Sequence, residues 1–209
     1  MKIAGKIKNF ATEDELHLWA TALSSADPFI KNENSWRGVN EDHILYEWFI
    51  TNCYNKIIKT FGDPNLKLMC GMFLDEKNPL GIHTDAYHAE PYENRKTAIS
   101  FLMPLSVDNN ELLADKSRTI IFNEHGKNNK QDILTDKTKL DKIASQIYSK
   151  HLSHNDYSFV NKFTIYNEYQ WERGSIIWWA GDYYHDSDNF TKNGYNSKQA
   201  IVVHTYYDC

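Results

Sequence analysis

From residue 65 onward the chain reads as a series of short strands broken by turn residues, and that alternation narrows the fold more than any other feature. Apolar, β-branched and aromatic runs fall near 66–74, 81–86, 97–105, 118–123, 158–168, 174–179, 183–187 and 198–207. A turn with Asn78, Pro79 and Gly81 follows the first of them, and Thr97 to Leu105 reads as a buried strand. Short strands separated by turn signals pack as a sandwich or jelly roll. The stretch ahead of them has a different period. Thr12-Glu13-Asp14-Glu15 is a capping box, so a helix is expected through Leu16, Trp19, Ala20 and Leu23. Residues 29–40, with Asn32, Asn34, Ser35 and Gly38, read as loop, Trp36 packing back on the body. A longer helix is expected over 41–61. Ile44, Leu45, Trp48, Phe49, Tyr54, Ile57 and Ile58 recur at helical spacing, and Gly62 stands where a C-terminal cap belongs.

The expected architecture is therefore mostly β, a jelly roll with N-terminal helices packed on the sheet. It is expected to form a single domain over 1–209, with a helical layer over 1–64 and a β core over 65–207. An insertion at about 124–157 interrupts the core near the mouth of the site. Within it, about Thr135 to Lys150 reads as helical, with Leu140, Ile143, Ala144 and Ile147 on one face.

Composition removes several classes of function. The 209 residues are 41% apolar and 14% aromatic, which suits a globular protein rather than a disordered one. Net charge is −5 and no Lys/Arg-rich block occurs, so no nucleic-acid partner is expected. No run is long enough to span a membrane, and Met1-Lys2-Ile3-Ala4-Gly5-Lys6 has no apolar stretch behind it, so neither membrane nor signal peptide is expected. Cys53, Cys70 and Cys209 are an odd number, and they read as reduced thiols of a cytoplasmic protein. Oligomeric state is not legible.

The chemistry-bearing motif is His83-Thr84-Asp85, answered far downstream by His185 at the end of Gly174-Ser175-Ile176-Ile177-Trp178-Trp179-Ala180-Gly181-Asp182-Tyr183-Tyr184-His185. In a strand, residues i and i+2 share a face, so His83 and Asp85 can reach one metal while Thr84 points away. A third ligand from another strand completes a two-histidine, one-carboxylate set, which suits ferrous iron and leaves coordination positions open. His204, inside the strand 198–207, is the rival to His185. The glycine-led strand before His185 favours the latter. His17 and His43 fall on the front helices, His88 lies just past the motif, and His125, His151 and His154 read as solvated residues of the insertion. Trp178, Trp179, Tyr183 and Tyr184 could shape a substrate pocket, but aromatic residues in such a segment are more often core, and they are read so.

With these motifs the chain resembles the iron(II)- and 2-oxoglutarate-dependent dioxygenases, most closely the prolyl-hydroxylase-like branch. The resemblance covers roughly 65–207 and rests on His83-Thr84-Asp85, the strand after it, Arg118-Thr119-Ile120-Ile121-Phe122, and the Gly174-to-His185 segment. It implies a double-stranded β-helix and an iron bound by His83, Asp85 and His185. It also implies 2-oxoglutarate as cosubstrate, dioxygen as oxidant and ascorbate in support. Because Asp85 is present, it implies hydroxylation rather than halogenation, on a small molecule or a protein side chain. A cation at the start of the last core strand is implied to hold the distal carboxylate of 2-oxoglutarate. Lys198 stands there, and Arg95 and Lys96, at the start of the strand after the His-x-Asp pair, are the alternatives. The competing readings are a cupin-like metal-dependent isomerase or a non-enzymatic binding module, and His-Thr-Asp in place of His-x-His argues against both. A nucleic-acid demethylase of the same class is disfavoured by the acidic balance.

Overall fold

The structure, a computed structural model, describes residues 2–85, 97–126 and 148–208. Ten strands are described: β1 (Ala4–Ile7), β2 (Pro28–Lys31), β3 (Asn34–Val39), β4 (Lys67–Glu76), β5 (Thr97–Val107), β6 (Arg118–His125), β7 (Ile165–Gln170), β8 (Ile176–Ala180), β9 (Tyr183–Ser187) and β10 (Lys198–Tyr206). They form a seven-stranded sheet of order β1-β8-β5-β10-β4-β3-β2 and a three-stranded sheet of order β7-β6-β9. Every pairing is antiparallel. The result is a mostly β, open jelly roll with helices on one face, as the strand series implies.

The period of two along each strand divides the core. On β10, Ile201 and Val203 face the helices, while Ala200 and Val202 face the smaller sheet. On β8, Ile176 takes the first side and Ile177 with Trp179 the second. Helix α1 (Glu13–Ser24) puts Leu16, Trp19 and Leu23 into the helical side, below 2% exposed each. Its capping box forms as expected: the Glu15 amide donates to Thr12 Oγ1, and the Thr12 amide donates to the Glu15 carboxylate. Such a cap stabilises a helix by roughly 1 kcal/mol. The second helical segment is α2 (Tyr46–Phe49), a π-helical turn (Ile50–Tyr54) and α3 (Asn55–Phe61), closed by Gly62 at φ 84°. Phe49, Cys53 and Ile57 carry it onto the sheet. It begins at residue 46 rather than 41 because 41–45 form turns, leaving Ile44 93% exposed.

Three further expectations are corrected. Residues 29–40 are not loop. They are most of a β2–β3 hairpin that extends the large sheet, turned by Asn32 and Glu33 at positive φ. Polar composition hid it because β2 is an exposed edge strand with no core face to pattern. Of the strand expected at 81–86, the described residues 81–85 form a single bridge at His83. The strand expected over 158–168 begins at Ile165, after a helical turn at Tyr157–Val160 capped by Asp156. The helix expected over 135–150 lies outside the described residues, except that Tyr148–Leu152 form a π-helical turn. No helix among the described residues is long and apolar enough to cross a membrane.

Candidate metal centre

The backbone of His83 and that of His185 are held together by a β-bridge. The His83 amide donates to the His185 carbonyl (3.1 Å), and the His185 amide to the His83 carbonyl (2.9 Å). The Asp85 amide donates to the Gly181 carbonyl at 3.0 Å. Gly181 is required there: a Cβ would lie 2.7 Å from the Thr97 carbonyl oxygen. Gly174, at φ 79°, precedes β8 and its carbonyl accepts from the Phe10 and Ala11 amides, which ties the N-terminal segment to the start of β8, the end away from Asp85.

The ligand-type atoms of His83, Asp85 and His185 all lie within 4.8 Å of one another. His83 Nε2 is 3.9 Å from Asp85 Oδ1, and His185 Nε2 is 3.6 Å from Asp85 Oδ2. His83 Nδ1 lies 2.8 Å from the Gly81 carbonyl and His185 Nδ1 lies 3.3 Å from the Tyr183 carbonyl. A carbonyl only accepts, so each Nδ1 carries the hydrogen and each Nε2 keeps its lone pair for the centre. Asp85 Oδ2 accepts from Ser100 Oγ (2.7 Å) and Trp179 Nε1 (3.0 Å), and the Trp179 ring packs at a tilt against His185, centroids 4.6 Å apart. Two imidazoles and a carboxylate on adjacent backbone fit one divalent cation of the ferrous type.

Burial and charge act in opposite directions here. Burial favours a neutral Asp85, but the His185, His204 and His83 imidazoles and the Ser100 hydrogen bond outweigh it and hold the carboxyl well below its usual range. Burial pushes His185 down to about 4, with Asp85 working against it. Both groups therefore stand in their metal-binding protonation states at neutral pH.

His204 sits one layer back: its Nδ1 is 2.9 Å from Ser100 Oγ and 3.9 Å from Asp85 Oδ2. His151, expected to be solvated, is buried, and His154, expected to be solvated too, keeps only about a tenth of its side chain exposed. His154 Nε2 lies 3.2 Å from Asp186 Oδ2, and Asn155 Nδ2 donates to the same carboxylate at 2.7 Å. Asn155 Oδ1 also accepts from the Ile82 amide at 3.0 Å, so one side chain links the approach to His83 with the residue after His185. Burial raises the Asp186 carboxyl, against the pull of His154 and Asn155.

A cavity of about 810 Å³ runs from the three residues between the two sheets to the β2–β3 hairpin. Met72, Leu74, Leu102, Trp171 and Val202 give it apolar walls, and Trp36 with Phe29 lie at the hairpin end. Lys198 lines it, 4% exposed, with Nζ 3.0 Å from Glu76 Oε2 and 4.9 Å from the centre of the Trp171 ring. Trp171 Nε1 donates to Thr119 Oγ1, which also lines the cavity. Arg95, Lys96 and His88 lie outside the described residues. Ser100, Thr119 and Glu76 carried one signal in the sequence, a polar residue on the inward parity of an apolar strand. Asn155 and Asp186 carried none, because their partners are 73 and 31 residues away.

No protein-family model matches this sequence, and no curated protein does. Solved structures do. The carbocyclase SnoK from nogalamycin biosynthesis, a non-heme α-ketoglutarate-dependent enzyme, superposes with a TM-score of 0.62 at 11% identity, over 98% of this chain and 80% of that one. A prolyl-4-hydroxylase from Pseudomonas putida gives 0.54 at 8% identity, over 99% and 93%. HygX from Streptomyces hygroscopicus, solved with nickel and 2-oxoglutarate, gives 0.52 at 9% identity, over 98% and 82%. The fold is thus that of the iron(II)- and 2-oxoglutarate-dependent oxygenases, and it carries a His-Asp-His cluster.

Proposed function

We propose that this protein is an iron(II)- and 2-oxoglutarate-dependent oxygenase that hydroxylates a small molecule or a protein side chain. The observation that carries the reading is the cluster of His83, Asp85 and His185 opening on a cavity lined by a buried ammonium, Lys198. His83 and His185 would bind iron(II) through Nε2, and Asp85 through the oxygen that Ser100 and Trp179 leave uncommitted. When bound, the iron would supply dioxygen activation coupled to decarboxylation, so that 2-oxoglutarate, O₂ and R–H become succinate, CO₂ and R–OH.

The remaining work belongs to this chain's own side chains. Lys198 Nζ donates to the distal carboxylate of 2-oxoglutarate, because a carboxylate in a buried pocket needs a fixed cation. Thr119 Oγ1, accepting from Trp171, keeps its own hydrogen to donate beside it. The apolar walls keep water from the reacting end, and a cavity of this size has room for cosubstrate and substrate together. The buried thiols of Cys53 and Cys70 support a cytoplasmic setting. Likeness to a carbocyclase supports a second outcome of the same chemistry, ring closure, which product analysis separates from hydroxylation.

The test is succinate formation from 2-oxoglutarate in the presence of iron(II) and ascorbate. The oxygenase reading expects succinate that disappears in Asp85→Ala. Absence of succinate together with metal binding would favour the cupin-like isomerase or binding module.

A further inference from the structure

Lys198 is not an open cation. Its strand pairs with β4 so that Lys198 stands opposite Glu76, and both side chains line the same cavity. Glu76 is 3% exposed and Lys198 4%. The Trp171 and Phe190 rings flank the ammonium at 4.9 and 5.5 Å. The pair is closed, buried and neutral overall before any ligand arrives.

We propose that Glu76 sets the affinity and selectivity of this pocket for 2-oxoglutarate, its carboxylate competing with the distal carboxylate of the cosubstrate for the Lys198 ammonium. The proposal rests on the reading above, in which Lys198 receives that carboxylate. An ammonium has three donors, so Lys198 can hold Glu76 and a ligand together. Geometry allows both, but charge opposes it. A second carboxylate beside Lys198 puts two like charges around one cation in a medium of reduced dielectric. Glu76 is 3% exposed where β4 sets it opposite Lys198, so moving off the ammonium costs it a buried 3.0 Å ion pair. An arriving carboxylate is therefore received by a half-compensated cation, and the discrimination for a distal charge is blunted.

The experiment is anaerobic calorimetry on the iron(II)-loaded protein with two 2-oxo acids. One is 2-oxoglutarate, and the other is 2-oxopentanoate, which has the same chain and the same metal-chelating end but no distal carboxylate. Glu76→Gln keeps the volume and an acceptor for Lys198 while removing the charge. It is expected to tighten 2-oxoglutarate about tenfold, the scale of one lost like-charge contact near a protein surface or beneath it. 2-Oxopentanoate should be unchanged, and Glu76→Gln should remain folded in a thermal melt, because the amide oxygen still accepts from the Lys198 ammonium. Unchanged or weaker 2-oxoglutarate binding in Glu76→Gln would overturn the proposal. If a Lys198→Met, Glu76→Met double variant then loses the preference for 2-oxoglutarate, the anchor reading stands without it. If wild type shows no preference for 2-oxoglutarate over 2-oxopentanoate and Glu76→Gln creates none, Lys198 is not the anchor and both fail.

Discussion

His83 and His185 form an antiparallel bridge, exchanging both backbone hydrogen bonds across a gap of 101 intervening residues, with their rings 4.3 Å apart. The two imidazoles are placed by main chain, so removing either side chain leaves the bridge intact. His83→Ala, Asp85→Ala and His185→Ala are therefore expected to fold and to lose iron(II) binding and turnover. Circular dichroism and metal content check this. His204→Ala should keep bound iron. Retained activity in His185→Ala with loss in His204→Ala would assign the third ligand to His204.

Trp179 holds Asp85 through one N–H and covers His185 with its ring. Trp179→Phe keeps an aromatic ring against His185 and deletes the donor. Loss of such an outer hydrogen bond typically weakens metal binding roughly 10- to 100-fold. Competition with a chelator should report a loss in that range, whereas an unchanged affinity would mean that Ser100 alone orients the carboxylate.

The metal-free protein should lose stability as pH falls. The folded-state pKa of His185, about 4, lies below its ordinary value of 6.5. Between those values the unfolded chain binds more protons, so stability rises with pH. The contribution is complete above 6.5, is lost toward 4, and amounts to at most about 3 kcal/mol. Asp85, also depressed, extends the loss to lower pH, while Asp186, raised, opposes it in part. Thermal melts between pH 7 and 4 should fall by roughly 5–10 °C. His185→Asn should flatten the profile, and an equal slope in that variant would remove His185 as the cause.

Lys198→Ala is the wrong variant for testing the anchor by itself. It strands the Glu76 carboxylate in a buried site, which costs about 3–5 kcal/mol. We expect Lys198→Ala to melt well below wild type, and the Lys198→Met, Glu76→Met pair to recover most of that loss. A Lys198→Ala protein as stable as wild type would show that Glu76 finds water or a proton easily.

Asn155 joins Ile82 to Asp186 by two hydrogen bonds. Asn155→Leu removes both and leaves a buried carboxylate less satisfied, so a loss of about 1–3 kcal/mol is expected. If Asn155 also steadies His83, iron(II) affinity in Asn155→Leu should fall in step. Denaturant titration and metal content measure the two separately.

What the sequence determined by itself is what local pattern encodes. The capping box at Thr12 and Glu15, the left-handed Gly62, the inward parity of Ala200 and Val202, and the limits of β9 are all readable, because each depends on neighbours within a few residues or on a period of two. His83-x-Asp85 was legible as a motif, although the two side chains meet beside a single β-bridge and not on the face of the strand that the spacing implied. The β2–β3 hairpin was not readable, since an exposed edge strand buries no face and so shows no alternation. Tertiary structure alone decided which distant groups meet: Gly181 against Thr97, Asn155 between Ile82 and Asp186, and Glu76 across from Lys198. Register and sheet order set those contacts, and both are fixed by the packing of the whole sheet, which no single segment carries.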